Sequence, residues 1–157
     1  MASIKDNLDQ VLGRIHEASG GRENVKLIAV SKTKPVELIR EAFQAGQIRF
    51  GENRVQEARE KAPKCPQELD WHLIGPLQKN KAKYCPALFS TVHTIHSADV
   101  AEELNKRCQA AETPLDVLIQ MNLTEEESKS GVHTIDELRR LEDAVLHLSH
   151  LRLTGLM

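Results

Sequence analysis

Lys32 is the residue whose type and place in this chain could support covalent chemistry. It follows the run Val25-Lys26-Leu27-Ile28-Ala29-Val30, which reads as a β-strand. Side chains alternate along a strand, so Ile28, Val30 and Lys32 share one face while Leu27, Ala29 and Ser31 share the other. If the first face points to the axis of a closed sheet, Lys32 stands at its mouth. Burial disfavours the ammonium form, and a neutral amine can attack an aldehyde and form a Schiff base. The competing reading is a strand-end lysine that snorkels into water. Lys34, just before Pro35, belongs to the loop that opens a helix and is expected to face solvent.

Other polar residues offer less. Asn53 follows a second strand; it can donate to a ligand or cap the next helix, and capping is what its residue type favours. Lys79, Lys81 and Lys83 could attract phosphate, but three lysines on one short helix read first as a solvated face. His93 and His96 lack carboxylate partners at positions that would argue for a metal. The stretch 125–131 reads as a polar loop. Neither a Gly-x-Ser-x-Gly elbow nor a P-loop occurs, so nucleophilic hydrolase and NTPase chemistry lack support. Cys65, Cys85 and Cys108 form no Cys-x-x-Cys pair and are odd in number, which points to free, packed thiols in a reducing compartment.

The elements that must position Lys32 alternate in type. Ser3 caps a helix with Ile4, Leu8, Val11, Leu12 and Ile15 on one face, stopped by Gly20-Gly21. After the first strand, Pro35 suits the first position of a helix carrying Val36, Ile39, Ala42 and Phe43. A strand over Ile48–Gly51 leads to a helix from Asn53 to Lys61. Trp71–Ile74 is a third strand, followed by the basic helix. Thr91–Ile95 is a fourth, followed by a helix that Ser97 caps. Leu115–Met121 is a fifth, and Thr134 with Glu137 forms a capping box for the helix after it. Leu151–Met157 is the sixth.

Strict alternation implies a parallel sheet covered by helices, either open or closed into a barrel. No Gly-x-Gly-x-x-Gly follows the first strand, which removes the main sign of a dinucleotide-binding open sheet. The expected fold is a (β/α)8 TIM-type barrel with six of its eight strands present. A complete barrel needs about 250 residues, so residues 1–157 are expected to be the N-terminal portion of one barrel domain. The composition, 40% hydrophobic and 28% charged, is that of a folded domain. A net charge of −2 gives no reason to expect a nucleic-acid or membrane partner, and the apolar runs are too short to span a bilayer. The first ten residues lack the apolar core of a secretory signal, so a cytoplasmic location is expected.

Several blocks now acquire a common meaning. Ala29-Val30-Ser31-Lys32-Thr33-Lys34-Pro35, Phe50-Gly51-Glu52-Asn53 with Val55-Gln56-Glu57, and Trp71-His72-Leu73-Ile74-Gly75-Pro76-Leu77-Gln78 resemble the signatures of the pyridoxal phosphate homeostasis protein family. So do Ile119-Gln120-Met121-Asn122, Ser128-Lys129-Ser130-Gly131 and Leu153-Thr154-Gly155-Leu156-Met157, all in family order. The resemblance implies an alanine-racemase-like barrel that binds pyridoxal 5′-phosphate (PLP). Lys32 matches the family's Schiff-base lysine, Asn53 its asparagine near the cofactor, and Met157 a position near the cofactor ring. It also implies a role in intracellular PLP (vitamin B6) homeostasis, with apo-PLP enzymes as recipients and no firm catalytic activity. Arg54 departs from the tyrosine many members carry, at what reads as the start of a surface helix. The family's phosphate-binding segments are expected in the seventh and eighth strands, beyond Met157.

Two other readings compete. A PLP-dependent amino-acid racemase or lyase would need a second acid/base group, and Tyr84 is the single tyrosine available. A truncated fragment that binds no cofactor is the third.

Overall fold

The computed structural model describes residues 2–124 and 130–157. Its strands are β1 (Ala29–Val30), β2 (Arg49–Glu52), β3 (Asp70–Leu73), β4 (Thr91–Ile95), β5 (Leu115–Ile119) and β6 (Leu151–Leu156). The α-helices are α1 (Ile4–Ala18), α2 (Val36–Gln44), α3 (Val55–Lys61), α4 (Ala98–Ala110) and α5 (Ile135–Leu146). All strand pairs are parallel and consecutive, in the order β1-β2-β3-β4-β5-β6. Consecutive parallel neighbours with a crossover between each pair form the curled sheet of a (β/α) barrel. Among the described residues the sheet is not closed, and β1 and β6 are its edges.

Local chemistry starts the helices where expected. Ser3 and Asp6 form a capping box at α1, and Thr134 and Glu137 form one at α5. Ser97 Oγ accepts from the Val100 amide at α4. Arg54, exposed, stands at the N-cap of α3, as expected of a surface position.

The two faces of the sheet differ. Phe50, Trp71, Leu73, Val92, Val117 and Ile119 point to the helices and are nearly or fully buried. They pack with Ile39 of α2, Ala58 of α3, Leu104 of α4 and Val145 of α5 into one core. The opposite face carries Val30, 51% exposed, and charged pairs instead. Arg49 Nε lies 3.5 Å from Asp70 Oδ2, and Arg152 Nε lies 2.6 Å from Asp116 Oδ1.

Several expectations are corrected. β1 is two residues long rather than Val25–Val30: an edge strand has one neighbour, and only Ala29 and Val30 find ladder partners there. Leu27 O is instead satisfied by Gln47 Nε2 at 3.0 Å. Pro35 is the N-cap of α2, with Val36 its first helical residue. The basic segment is a 3-10 helix, Lys79–Ala87, with Pro86 inside it, where a proline has no amide to donate to an α-helical ladder. β5 ends at Ile119, after which Met121 makes an isolated bridge to Val132. Of the polar loop expected over 125–131, residues 125–129 lie outside the described residues.

Candidate functional site

Lys32 sits in a tight turn at the carboxyl end of β1. The Lys34 amide donates to Ser31 O at 3.0 Å, leaving Lys32 and Thr33 as the central residues. Thr33 has a φ of 62°. That left-handed conformation costs a residue with a Cβ about 1–2 kcal/mol, so the surroundings must hold it.

They do so from behind, between the sheet and α3. Ser31 is 4% exposed; its Oγ donates to Glu52 Oε1 at 2.6 Å, and Glu52 is fully buried. Lys61 Nζ donates to Ser31 O at 2.6 Å, to Glu52 Oε1 at 2.8 Å and to Glu57 Oε1 at 2.6 Å. All three ammonium hydrogens are therefore engaged. Glu57 Oε1 also accepts from the Thr33 amide. Burial alone would lower the Lys61 pKa, but the hydrogen bonds to Glu52 and Glu57 outweigh it and raise the value. The Lys61 hydrogen bond holds the Glu57 carboxyl below its ordinary range. Lys32 takes no part in this network and is exposed.

The register Val30↔Gly51 places Lys32 and Asn53 each two residues beyond a paired position on adjacent strands. Asn53 does not cap α3, because Arg54 occupies the N-cap and contributes no side-chain hydrogen bond. Among the described residues the Asn53 side chain has no hydrogen-bond partner, so its amide is free to meet a ligand. Its backbone is pinned by Gly75, where an added Cβ would stand 2.2 Å from Asn53 O. Asn53 also forms part of the wall of a cleft of about 940 Å³, with Arg54, Gln78, Lys79, Lys81 and His96. Lys79 and Lys81, expected to be a solvated face, thus border an open cleft, and Lys79 Nζ lies 3.8 Å from Asp99 Oδ2.

Met157 stands apart. It follows β6, at the far edge of the sheet from Lys32, and is 48% exposed. Its amide donates to Ile119 O at 2.9 Å, and its carbonyl accepts from Met121 at 2.8 Å. Lys32 and Asn53 are brought together by one strand pairing, whereas Met157 shares the carboxyl end of the sheet with them from its other edge.

The remaining candidates have other partners. His93 Nε2 lies 2.9 Å from His72 Nδ1 rather than beside His96, and burial lowers its pKa. His96 Nδ1 lies 3.0 Å from Thr94 O. The Arg59 guanidinium sits 3.9 Å from the centre of the Tyr84 ring and holds the phenol below its ordinary pKa. All three cysteines are free; burial pushes the Cys85 thiol up to about 12 and the Cys108 thiol to about 11.

The sequence alone gives Lys61 and Glu57 no role at the site. The signal was there: Val55, Ala58 and Lys61 recur at three-residue spacing and are all buried, so a lysine occupies the buried stripe of α3.

Comparison with known proteins bears on the fold and the family. The family model described as alanine racemase, N-terminal domain, matches residues 1–157. A pyridoxal phosphate homeostasis protein of Escherichia coli (strain K12) is 46% identical over 165 residues, covering 100% of this chain and 70% of its own length. One from Vibrio alginolyticus is 44% identical over 166 residues, covering 100% of this chain and 71% of its own. Among solved structures, PipY of Synechococcus elongatus PCC7942 with PLP bound superposes with a TM-score of 0.86 at 34% identity, covering 98% of this chain and 69% of that one. With its parallel β/α sheet and these matches, the chain belongs to the alanine racemase N-terminal domain family, in the group of the pyridoxal phosphate homeostasis proteins.

Proposed function

We propose that this protein binds pyridoxal 5′-phosphate as a Schiff base on Lys32 and serves intracellular homeostasis of that cofactor. The observation that carries the reading is the Ser31–Lys34 turn, which presents an exposed amine beside Asn53 at the carboxyl ends of β1 and β2. Carboxyl ends of strands are where sites sit in β/α barrels. The residues fit the group: an accessible primary amine for its aldehyde, and an unpartnered amide for its polar substituents. A relative solved with PLP bound supports binding of that cofactor.

Lys32 would hold the cofactor through its aldehyde, the accessible primary amine being the group suited to a Schiff base. Apo-PLP enzymes would be the recipients of the cofactor held there. When bound, the cofactor supplies an electrophilic aldehyde carbon and a conjugated ring. Asn53 would donate a hydrogen bond toward it, and Met157, at the other edge of the sheet, would be the third residue of its site. Residues 1–157 are read as the N-terminal portion of one PLP-binding barrel domain. The phosphate-binding segments are assigned to strands seven and eight, in the part of the relatives outside the match. A cytoplasmic location fits this role, and among the described residues no helix is long and apolar enough to cross a membrane. Racemase chemistry has less support, because Tyr84 lies against Arg59 and Lys83 on the helical side.

The test is incubation with PLP, desalting, borohydride reduction and peptide mapping. The expected result is a retained visible band and a label on the peptide bearing Lys32, both absent in Lys32→Ala. A label that persists elsewhere in Lys32→Ala, or no retained cofactor in the unsubstituted protein, would sink the reading.

A further inference from the structure

We infer that Lys61 is a positioning residue for Lys32, acting through the turn that carries it; the inference rests on the functional reading above. Lys61 reaches acceptors on three separate pieces of chain: Ser31 O after β1, Glu52 at the end of β2, and Glu57 in its own helix. At 2.6–2.8 Å and with every ammonium hydrogen engaged, it cannot turn without breaking a charged hydrogen bond.

The network grips the residues on both sides of Lys32 and leaves Lys32 untouched. Ser31 is held by its carbonyl, through Lys61, and by its hydroxyl, through Glu52. Thr33 is held by its amide, through Glu57, in a left-handed conformation unfavourable for threonine. Lys32, between these two held residues, is exposed and takes no part in the network, so the brace fixes the backbone from which its amine projects. A free lysine would sample many rotamers over a mobile turn. Fixing its backbone converts part of that search into a preset approach, and small misplacements of a reacting group slow bond formation strongly. Glu52 and Glu57 act with Lys61 as parts of the same brace.

The experiment compares the unsubstituted protein, Lys61→Met and Glu57→Gln, using PLP itself as the probe. The rate of borohydride-trappable adduct formation is read with peptide mapping, and the visible circular dichroism per bound cofactor is read in parallel. The dichroism reports a fixed orientation that loss of stability alone does not alter. Lys61→Met is expected to keep the label on Lys32 but slow its formation by about ten-fold or more, with weakened dichroism. Glu57→Gln keeps an oxygen for the Thr33 amide and removes the charge, so its effect has the same direction and is smaller. If Lys61→Met does not fold, Glu57→Gln decides, its side chain being 23% exposed and tolerant of change. Label on Lys32 with unchanged rates and dichroism in the folded variants overturns the positioning role alone. Absence of label on Lys32 in the unsubstituted protein overturns the functional reading and this inference together.

Discussion

The two faces of the sheet handle charge in opposite ways. On the helix-facing side, Lys61 and Glu52 have side chains 10% and 0% exposed and are tied into one network with Ser31 and Glu57. On the other side, Arg152 is 63% and Asp116 35% exposed, and they meet as a simple pair. Removing one partner of a buried pair leaves a charge that neither water nor protein compensates. An exposed pair is screened, and its loss is small. A buried charge kept within an otherwise apolar stripe therefore marks a place where position matters, whereas the open face can carry charges with little consequence for folding.

The largest expected effect breaks the first network. Lys61→Met leaves Glu52 buried without its cation and should lower unfolding free energy by about 3–5 kcal/mol, read as a shifted urea midpoint. A shift as small as that of a surface substitution would erase the contrast between the faces. Next is Gly75→Ala, whose Cβ would press on the Asn53 backbone from 2.2 Å. Moving that backbone should cost about 1–3 kcal/mol and weaken retention of PLP, measured by thermal unfolding and by equilibrium dialysis.

The pH dependence sharpens the comparison further. Glu57 has a folded pKa below its ordinary 4.5, so its contribution is present above 4.5 and is lost as pH falls through the lower folded value. His93 is held below its ordinary 6.5 by burial; the unfolded chain takes up a proton first, so stability declines as pH falls from 6.5 toward the folded value. His93→Gln should flatten the decline beginning at 6.5 and leave the acid limb below 4.5 in place, as followed by denaturant titrations across that range. The smallest effect is expected for Arg152→Ala, below about 1 kcal/mol and reduced further by salt. A larger loss there would mean that the open face contributes to stability more than its exposure suggests.

Much of this was legible in the residues. The capping boxes at Ser3 and Thr134 and the cap at Ser97 are local chemistry, and each starts its helix where the letters say. The six strands follow from apolar runs between turn residues, and their parallel order follows from strict alternation. The place of Lys32 after the first strand is also local. What local pattern could not supply was partnership. The length of β1 depends on how many neighbours it has, and as an edge it pairs over two residues. Asn53 looked like a cap because asparagine is a good one; Arg54 took that place, and the close approach of Gly75 decided where Asn53 stands. Tertiary structure alone joined Ser31, Glu52 and Lys61, residues 21 and 9 positions apart. A hydrogen bond across that separation exists only once α3 has packed on the sheet. The sequence by itself determined which side chains can do chemistry and which element each one ends. The packing of helix on sheet decided which of them are held, because only burial turns a lysine near two carboxylates into a fixed brace.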